Sequence, residues 1–212
     1  MTTSSASWIA AVRARESDRT DRLFDDPFAR ELAGERGVAM MAASERATGG
    51  ENSFIPVRVR WFDDLVTSTG SWWATSPTGS ARRCATTGST LAHRHSGWAE
   101  GVFFYLTEPM IGRLLRDAAS RSGPGSVFAA DVIGTVGLDS PAMRPYRTWC
   151  ADNGVPPPFG TDDPEALCTA GGWRVDHITA PGAPDANYGR LRDRPAGFVP
   201  GRTHLVTAEP AG

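Results

Sequence analysis

The sequence predicts an α/β fold with an incomplete, doubly wound and mostly parallel sheet and an N-terminal helical cap. Two observations support this prediction. Helical periodicity runs through most of residues 1–70, whereas residues 98–208 alternate between helical stretches and short stretches typical of strands. The length of 212 residues suits one globular domain with one core.

The composition excludes several classes of function. Hydrophobic residues make up 40% of the chain and charged residues 22%, which is ordinary for a globular protein. The net charge of -2 provides no basic field for nucleic acid, and no apolar run is long enough to span a membrane. Cys84, Cys150 and Cys168 form no CxxC pair, and His93 and His95 lack a third ligand, so no metal site is predicted. With no export signal visible, we expect a protein of the reducing cytoplasm.

The N-terminal region predicts three helices. Residues 7–19 place apolar side chains at helical spacing after several Ser and Thr capping candidates. An Asp-Asp-Pro step predicts a second helix that Gly34 ends, because Asp caps free N–H groups and Pro presets the backbone angle. A loop at residues 49–52 precedes a third helix over residues 55–66.

Residues 71–97 have no core-building pattern. Leu91 is their only large aliphatic residue, and neither helical nor strand periodicity is visible. Every basic residue of the chain is Arg, which together with abundant Ala, Gly and Pro indicates a GC-rich coding sequence. We hypothesise that a deletion and a reading-frame error produced this segment, and we interpret Trp72 and Trp73 as an exposed apolar patch. Translating the DNA in the other two frames tests the hypothesis.

The region from residue 98 to residue 133 predicts a strand, a helix and a second strand. The first strand ends at a turn that contains Glu100. A Thr-Glu-Pro step then opens a helix that continues to Ala118, and residues 126–133 form a buried strand. A helix between two strands predicts a parallel crossover.

The remaining residues complete the second half of a doubly wound sheet. A second Asp-Asp-Pro step predicts a helix over residues 162–170. Residues 173–178 alternate between apolar and polar side chains, and residues 203–208 are expected to be their antiparallel neighbour. This order of elements is Rossmann-like, and its first half is not evident in the sequence. The predicted regions are a helical cap (1–70), an irregular segment (71–97) and the C-terminal half of the domain (98–212).

Several phrases of the sequence together resemble one known protein family. They are RARESDRTDRLFDDPFARELAG (13–34), VRVRWFDDL (57–65), WAEGVFFYLTEPMIGRLL (98–115), and the later phrases FGTDDPEAL, GWRVD, NYGR and HLVTA. The chain is similar, over residues 7–65 and 98–208, to the leucine-carboxyl-methyltransferase-like group of class I S-adenosylmethionine-dependent methyltransferases. The resemblance implies methylation of an oxygen of a small molecule, with S-adenosyl-L-methionine as the donor.

The resemblance also implies four site residues. Arg58 is expected to hold the donor's carboxylate, since a planar guanidinium meets both oxygens of a carboxylate. Glu100 is expected near the donor's ammonium group, and Phe104 and Tyr105 are expected to shape the acceptor side and exclude water. The glycine-rich loop that the family places between residues 65 and 98 is not found in the sequence.

Simpler interpretations stand beside these expectations. Arg58 and Glu100 are ordinary surface charges in the first alternative, as most Arg and Glu residues are. The acidic pairs at residues 25–26 and 162–163 each precede Pro at a helix start, so we interpret them as helix caps rather than acid–base catalysts. For the whole chain, the alternatives are an inactive remnant and a non-catalytic domain that binds a partner, with a tendency to self-associate through an unpaired sheet edge.

Overall fold

The computed structural model describes residues 2–69, 94–140, 143–191 and 203–212. Within these ranges the chain forms helices and one sheet, which confirms the α/β class. The helices are α1 (Thr2–Ser17), α2 (Ala29–Thr48), α3 (Phe54–Thr69), α4 (Glu108–Ala119), α5 (Thr135–Leu138), α6 (Arg144–Asp152) and α7 (Pro164–Ala170). The strands are β1 (Ser96–Ala99), β2 (Val127–Ile133), β3 (Trp173–Thr179) and β4 (Thr203–Pro210), and a 3-10 helix (Phe103–Tyr105) follows β1.

The N-terminal region contains the predicted helices, but the second is longer than expected. Gly34 has a φ of 55° and a ψ of -176°, so helical geometry breaks there as predicted. The chain then resumes a helical path as far as Thr48. A Cβ atom added at Gly37 would lie 2.3 Å from the carbonyl oxygen of Ser7, so α1 and α2 approach backbone to backbone. Packing against α1 supports the second half of α2, whose own apolar pattern is weak.

The sheet has the order β1-β2-β4-β3. The predicted parallel crossover from β1 through α4 to β2 is confirmed, and so is the antiparallel pairing of β3 with β4. The prediction of a mostly parallel sheet is not confirmed. β4 lies between β2 and β3 and pairs antiparallel with both, so the sheet is mixed.

One edge of the sheet collects the ends of several strands. β2 ends at Ile133, which pairs with Thr203 at the start of the antiparallel strand β4. β1 runs parallel to β2 and ends at Ala99, and the turn that contains Glu100 follows directly. We call this edge the carboxyl edge. Ligands of open α/β sheets usually bind at such an edge.

The two faces of the sheet are covered by different helices. Phe128 and Ala130 of β2 lie in a core cluster that includes residues of α4 and α7. Ala129 lies in a separate cluster with Trp61 of α3. Since side chains alternate along a strand, Asp131 shares the face of Ala129. The strand therefore presents its carboxylate toward α3.

Part of the predicted irregular segment is not described. Residues 70–93, which include Trp72 and Trp73 and most of the hypothesised frame error, lie outside the described residues. At the end of that segment, Ser96 and Gly97 belong to β1 rather than to irregular chain. Among the helices that the structure describes, none is both long enough and apolar enough to cross a membrane.

Candidate functional site

Arg58 lies at the centre of an ionic cluster at the carboxyl edge. It belongs to α3 and is only 7% exposed. Its Nε donates to Oε1 of Glu100 at 3.2 Å, and its Nη1 donates to Oδ2 of Asp131 at 3.3 Å. The guanidinium carbon lies 5.4 Å from the ring centre of Phe54, one helical turn earlier. We call Arg58, Glu100 and Asp131 the ionic triad.

The turn after β1 fits closely around this cluster. Gly101 has a φ of 62°, a left-handed conformation that favours glycine. Its N–H donates to Oδ1 of Asp131, so one carboxylate holds both the turn and the guanidinium of Arg58. A Cβ atom at Gly101 would lie 3.4 Å from Nη1 of Arg58. The glycine therefore leaves room beside the guanidinium.

The triad bears more negative than positive charge. Burial lowers the pKa of the Arg58 guanidinium, but the carboxylates of Asp131 and Glu100 outweigh it, so this pKa lies above its ordinary value. Arg58 therefore stays charged, and its one positive charge faces two carboxylates. The side chain of Glu100 is 34% exposed and that of Asp131 only 10%. Glu100 is thus the carboxylate of the triad that meets solvent.

Arg58 and Glu100, which the sequence assigned to two ends of a donor, are in direct contact. Their interpretation as separate surface charges does not fit this geometry, since the guanidinium is buried and paired. Asp131 was missed, although a signal for it was present. It is the one acidic residue in an otherwise apolar buried strand, and a buried carboxylate needs a partner.

The predicted acceptor-side residues belong to a cluster of four aromatic rings. Phe104 and Tyr105 meet edge to face, with ring centres 5.0 Å apart. Phe104 lies 5.2 Å from the ring centre of Tyr146 on α6, and Tyr146 lies 6.2 Å from that of Trp149. Burial, and then the nearby Cys150, raise the pKa of Tyr146 to about 12. Tyr146 therefore stays neutral at physiological pH, and Tyr105, which is 50% exposed, is open to solvent.

A second polar group lies at the carboxyl edge, on the other face of the sheet. Oδ1 of Asp162 accepts from the backbone N–H of Thr135 at 2.8 Å, and Oδ2 accepts from the hydroxyl of Thr135. These bonds hold the pKa of Asp162 below its usual value. The carboxylate also raises the pKa of His204, but burial lowers it more strongly. Among the described residues, no group bonds the buried Nε2 atom of His204.

The acidic pairs stabilise turns and helix ends, as predicted. Asp163 caps α7 by accepting from the N–H of Ala166 at 2.9 Å. Asp26 accepts from the N–H of Phe28 at 3.1 Å, just before α2 begins. Where the chain is described, no group of three His, Cys, Asp or Glu side chains could hold a metal ion, and His93 lies outside that part.

Comparison with known proteins places the N-terminal segment in a family. Residues 6–71 match the family model of leucine carboxyl methyltransferase. This match confirms the resemblance over that segment, which contains Arg58. Glu100, Asp131 and the aromatic cluster lie C-terminal to the matched segment. No curated protein matches the chain.

Proposed function

We propose that the protein is an S-adenosylmethionine-dependent methyltransferase that methylates an oxygen of a small molecule. The observation that carries this proposal is the buried Arg58 at the carboxyl edge of the sheet, in contact with Glu100. Arg58 lies in the segment that matches the methyltransferase family. Ligands bind at this edge in other open α/β sheets.

The triad fits the amino-acid end of such a donor. Within the described ranges, no group accepts from the Nη2 amino group of Arg58, so two N–H bonds remain for a carboxylate. The partly exposed carboxylate of Glu100 can accept from an ammonium group. Gly101 provides the space between them. Residues 70–93, where the family places its glycine-rich loop, lie outside the described residues.

The chain's own residues then have separate tasks. Arg58 binds and orients the carboxylate, while Asp131 fixes both Arg58 and the turn at Gly101. When bound, S-adenosylmethionine supplies a methyl group on an electrophilic sulfonium, so alignment and exclusion of water do much of the remaining work. Phe104 and Tyr105 are proposed to supply the apolar wall on the acceptor side.

Calorimetry with S-adenosylmethionine tests the proposal. The wild-type protein is expected to bind with micromolar affinity, and Arg58→Ala is expected to abolish binding. Arg60→Ala is a matched control on the same helix, because Arg60 pairs with Asp64 at 2.9 Å and is partly exposed. Flat heats for the wild-type protein would instead favour the inactive remnant or the partner-binding domain.

The cellular context also remains a proposal. Cys150 and Cys168 are free thiols in the structure, as expected in a reducing cytoplasm. Burial raises the pKa of Cys168 to about 11, so its thiol resists oxidation. Hydrodynamic sizing tests the proposed self-association.

A further inference from the structure

The ionic triad has an excess of one negative charge at the place where the proposed donor would lie. Arg58 contributes one positive charge, and Glu100 and Asp131 contribute one negative charge each. Arg58 and Asp131 are buried, so solvent and salt screen their charges less than they screen surface charges. A ligand at this edge therefore experiences a negative potential.

Methyl transfer changes the charge of the molecule that occupies such a site. S-adenosylmethionine bears a sulfonium, an ammonium and a carboxylate, and so has one net positive charge. In the transfer step the bond between sulfur and the methyl carbon breaks, and its electron pair stays on sulfur. The acceptor oxygen forms the new bond to that carbon. The remaining S-adenosylhomocysteine is a neutral sulfide with the same ammonium and carboxylate.

We propose that the ionic triad makes the site selective for the cationic donor over the neutral product, with Glu100 as the main determinant. This inference rests on the proposed function. Both ligands have the same amino-acid end, so contacts with Arg58 contribute equally to their affinities. The sulfonium alone distinguishes their charge, and a negative potential stabilises it. Spent donor is then released more readily than fresh donor.

Glu100 is the main determinant because of its position and exposure. Asp131 is held by both Arg58 and the N–H of Gly101, so its charge is largely compensated. Glu100 has one bond to Arg58, at 3.2 Å, and 34% of its side chain faces outward. At a separation on the order of 10 Å and an effective dielectric constant of about 20, one such charge favours a sulfonium roughly tenfold.

Calorimetry with three ligands tests the inference. The ligands are S-adenosylmethionine, S-adenosylhomocysteine and a donor analogue with an amine in place of the sulfonium. We expect the two cationic ligands to bind the wild-type protein ~10-fold more tightly than the neutral sulfide. Glu100→Gln should narrow that gap at least about threefold, since the ratio cancels any shared loss at the amino-acid end. Asp139→Asn is the matched control, because Asp139 also pairs with an arginine, Arg147, at 2.7 Å but is exposed on another surface.

The outcomes separate the two proposals. Equal or tighter binding of the neutral sulfide by the wild-type protein overturns the inference and leaves the methyltransferase proposal intact. An unchanged gap in a folded Glu100→Gln variant also overturns it. Absence of binding by all three ligands overturns both. If circular dichroism shows that Glu100→Gln is unfolded, Asp131→Asn is compared instead, and the three wild-type affinities need no variant.

Discussion

His204 is a buried side chain whose environment favours its neutral form. It is the second residue of β4, at the carboxyl edge, and its Nε2 atom is buried without a partner in the described part of the chain. Burial lowers its pKa, and the negative charge of Asp162 offsets this only in part. A protonated imidazole is therefore less stable in the folded protein than in the unfolded chain.

The pH dependence of unfolding tests this environment. Because the folded pKa lies below the ordinary value of 6.5, the unfolded chain binds the proton first as pH falls. The free energy of unfolding should be constant in this respect above pH 6.5 and should decrease below it. Urea titrations from pH 8 to pH 5 should show a smaller decrease for His204→Gln than for the wild type. The control is His177→Gln, an exposed histidine paired with Asp185, which should leave the wild-type slope at His204 intact. Parallel losses in wild type and His204→Gln would contradict the prediction.

The candidate site shows what single residues reveal before a structure is known. Arg58 and Glu100 were found through phrases of sequence that resemble a family, not through their spacing, which separates them by 42 positions. Asp131 is 73 positions from Arg58, and no local pattern joins them. Its position in an apolar strand indicated that it needs a partner, but not which one. Pairing across such distances is decided by how α3 packs on the sheet.

At the scale of elements, the closest packing described joins α1 to α2. Gly37 follows the break at Gly34 and faces the backbone of Ser7. A Cβ atom at Gly37 would lie 2.3 Å from the Ser7 carbonyl oxygen and 3.2 Å from the Ser7 Cβ atom. The two helices would have to separate to accept any larger side chain, because a backbone carbonyl within a helix cannot move aside alone.

We expect Gly37→Ala to destabilise the protein by about 1–3 kcal/mol, the usual cost of overpacking a tight contact. Gly50→Ala is the control, since a Cβ atom at Gly50 has no heavy atom within 4 Å. That variant should change the free energy of unfolding by less than about 1 kcal/mol. Denaturant titrations of both variants decide the matter. Equal stability of the two variants would show that α1 and α2 do not approach this closely.

Elements with strong periodicity or clear caps were predictable, and the others were not. α4 begins after Thr107 and α7 after Asp163, as their acid-and-Pro steps indicated. α5 and α6 were missed because α5 is one turn long and α6 has mainly polar and aromatic residues without an apolar stripe. α6 is positioned by contacts of Tyr146 with Phe104, which no local sequence pattern specifies.

At the scale of the whole molecule, one buried ion pair connects the two ends of the chain. Arg190, in the loop after β3, donates from Nη2 to Oε1 of Glu16 at 2.6 Å and from Nη1 to Oδ2 of Asp21 at 2.8 Å. Glu16, near the end of α1, is 3% exposed, and its Oε1 also accepts from the N–H of Leu23. This contact spans 174 positions, so sequence periodicity could not predict it. It fixes the helical cap, which includes the family-matched segment, against the sheet domain.

Removal of this connection should be costly. Arg190→Ala leaves the buried carboxylate of Glu16 without its partner, and such uncompensated charges cost about 3 kcal/mol. Arg174→Ala is the matched control, because Arg174 pairs with Glu209 at the same short distance of 2.7 Å but on the surface. The control should cost less than about 1 kcal/mol, since solvent replaces an exposed ion pair. Denaturant midpoints at low and at high salt distinguish the two, because added salt screens the exposed pair and acts little on the buried one. If Arg190→Ala were as stable as Arg174→Ala, the cap would be held by apolar packing alone, and Arg58 would reach the carboxyl edge without help from the C-terminal loop.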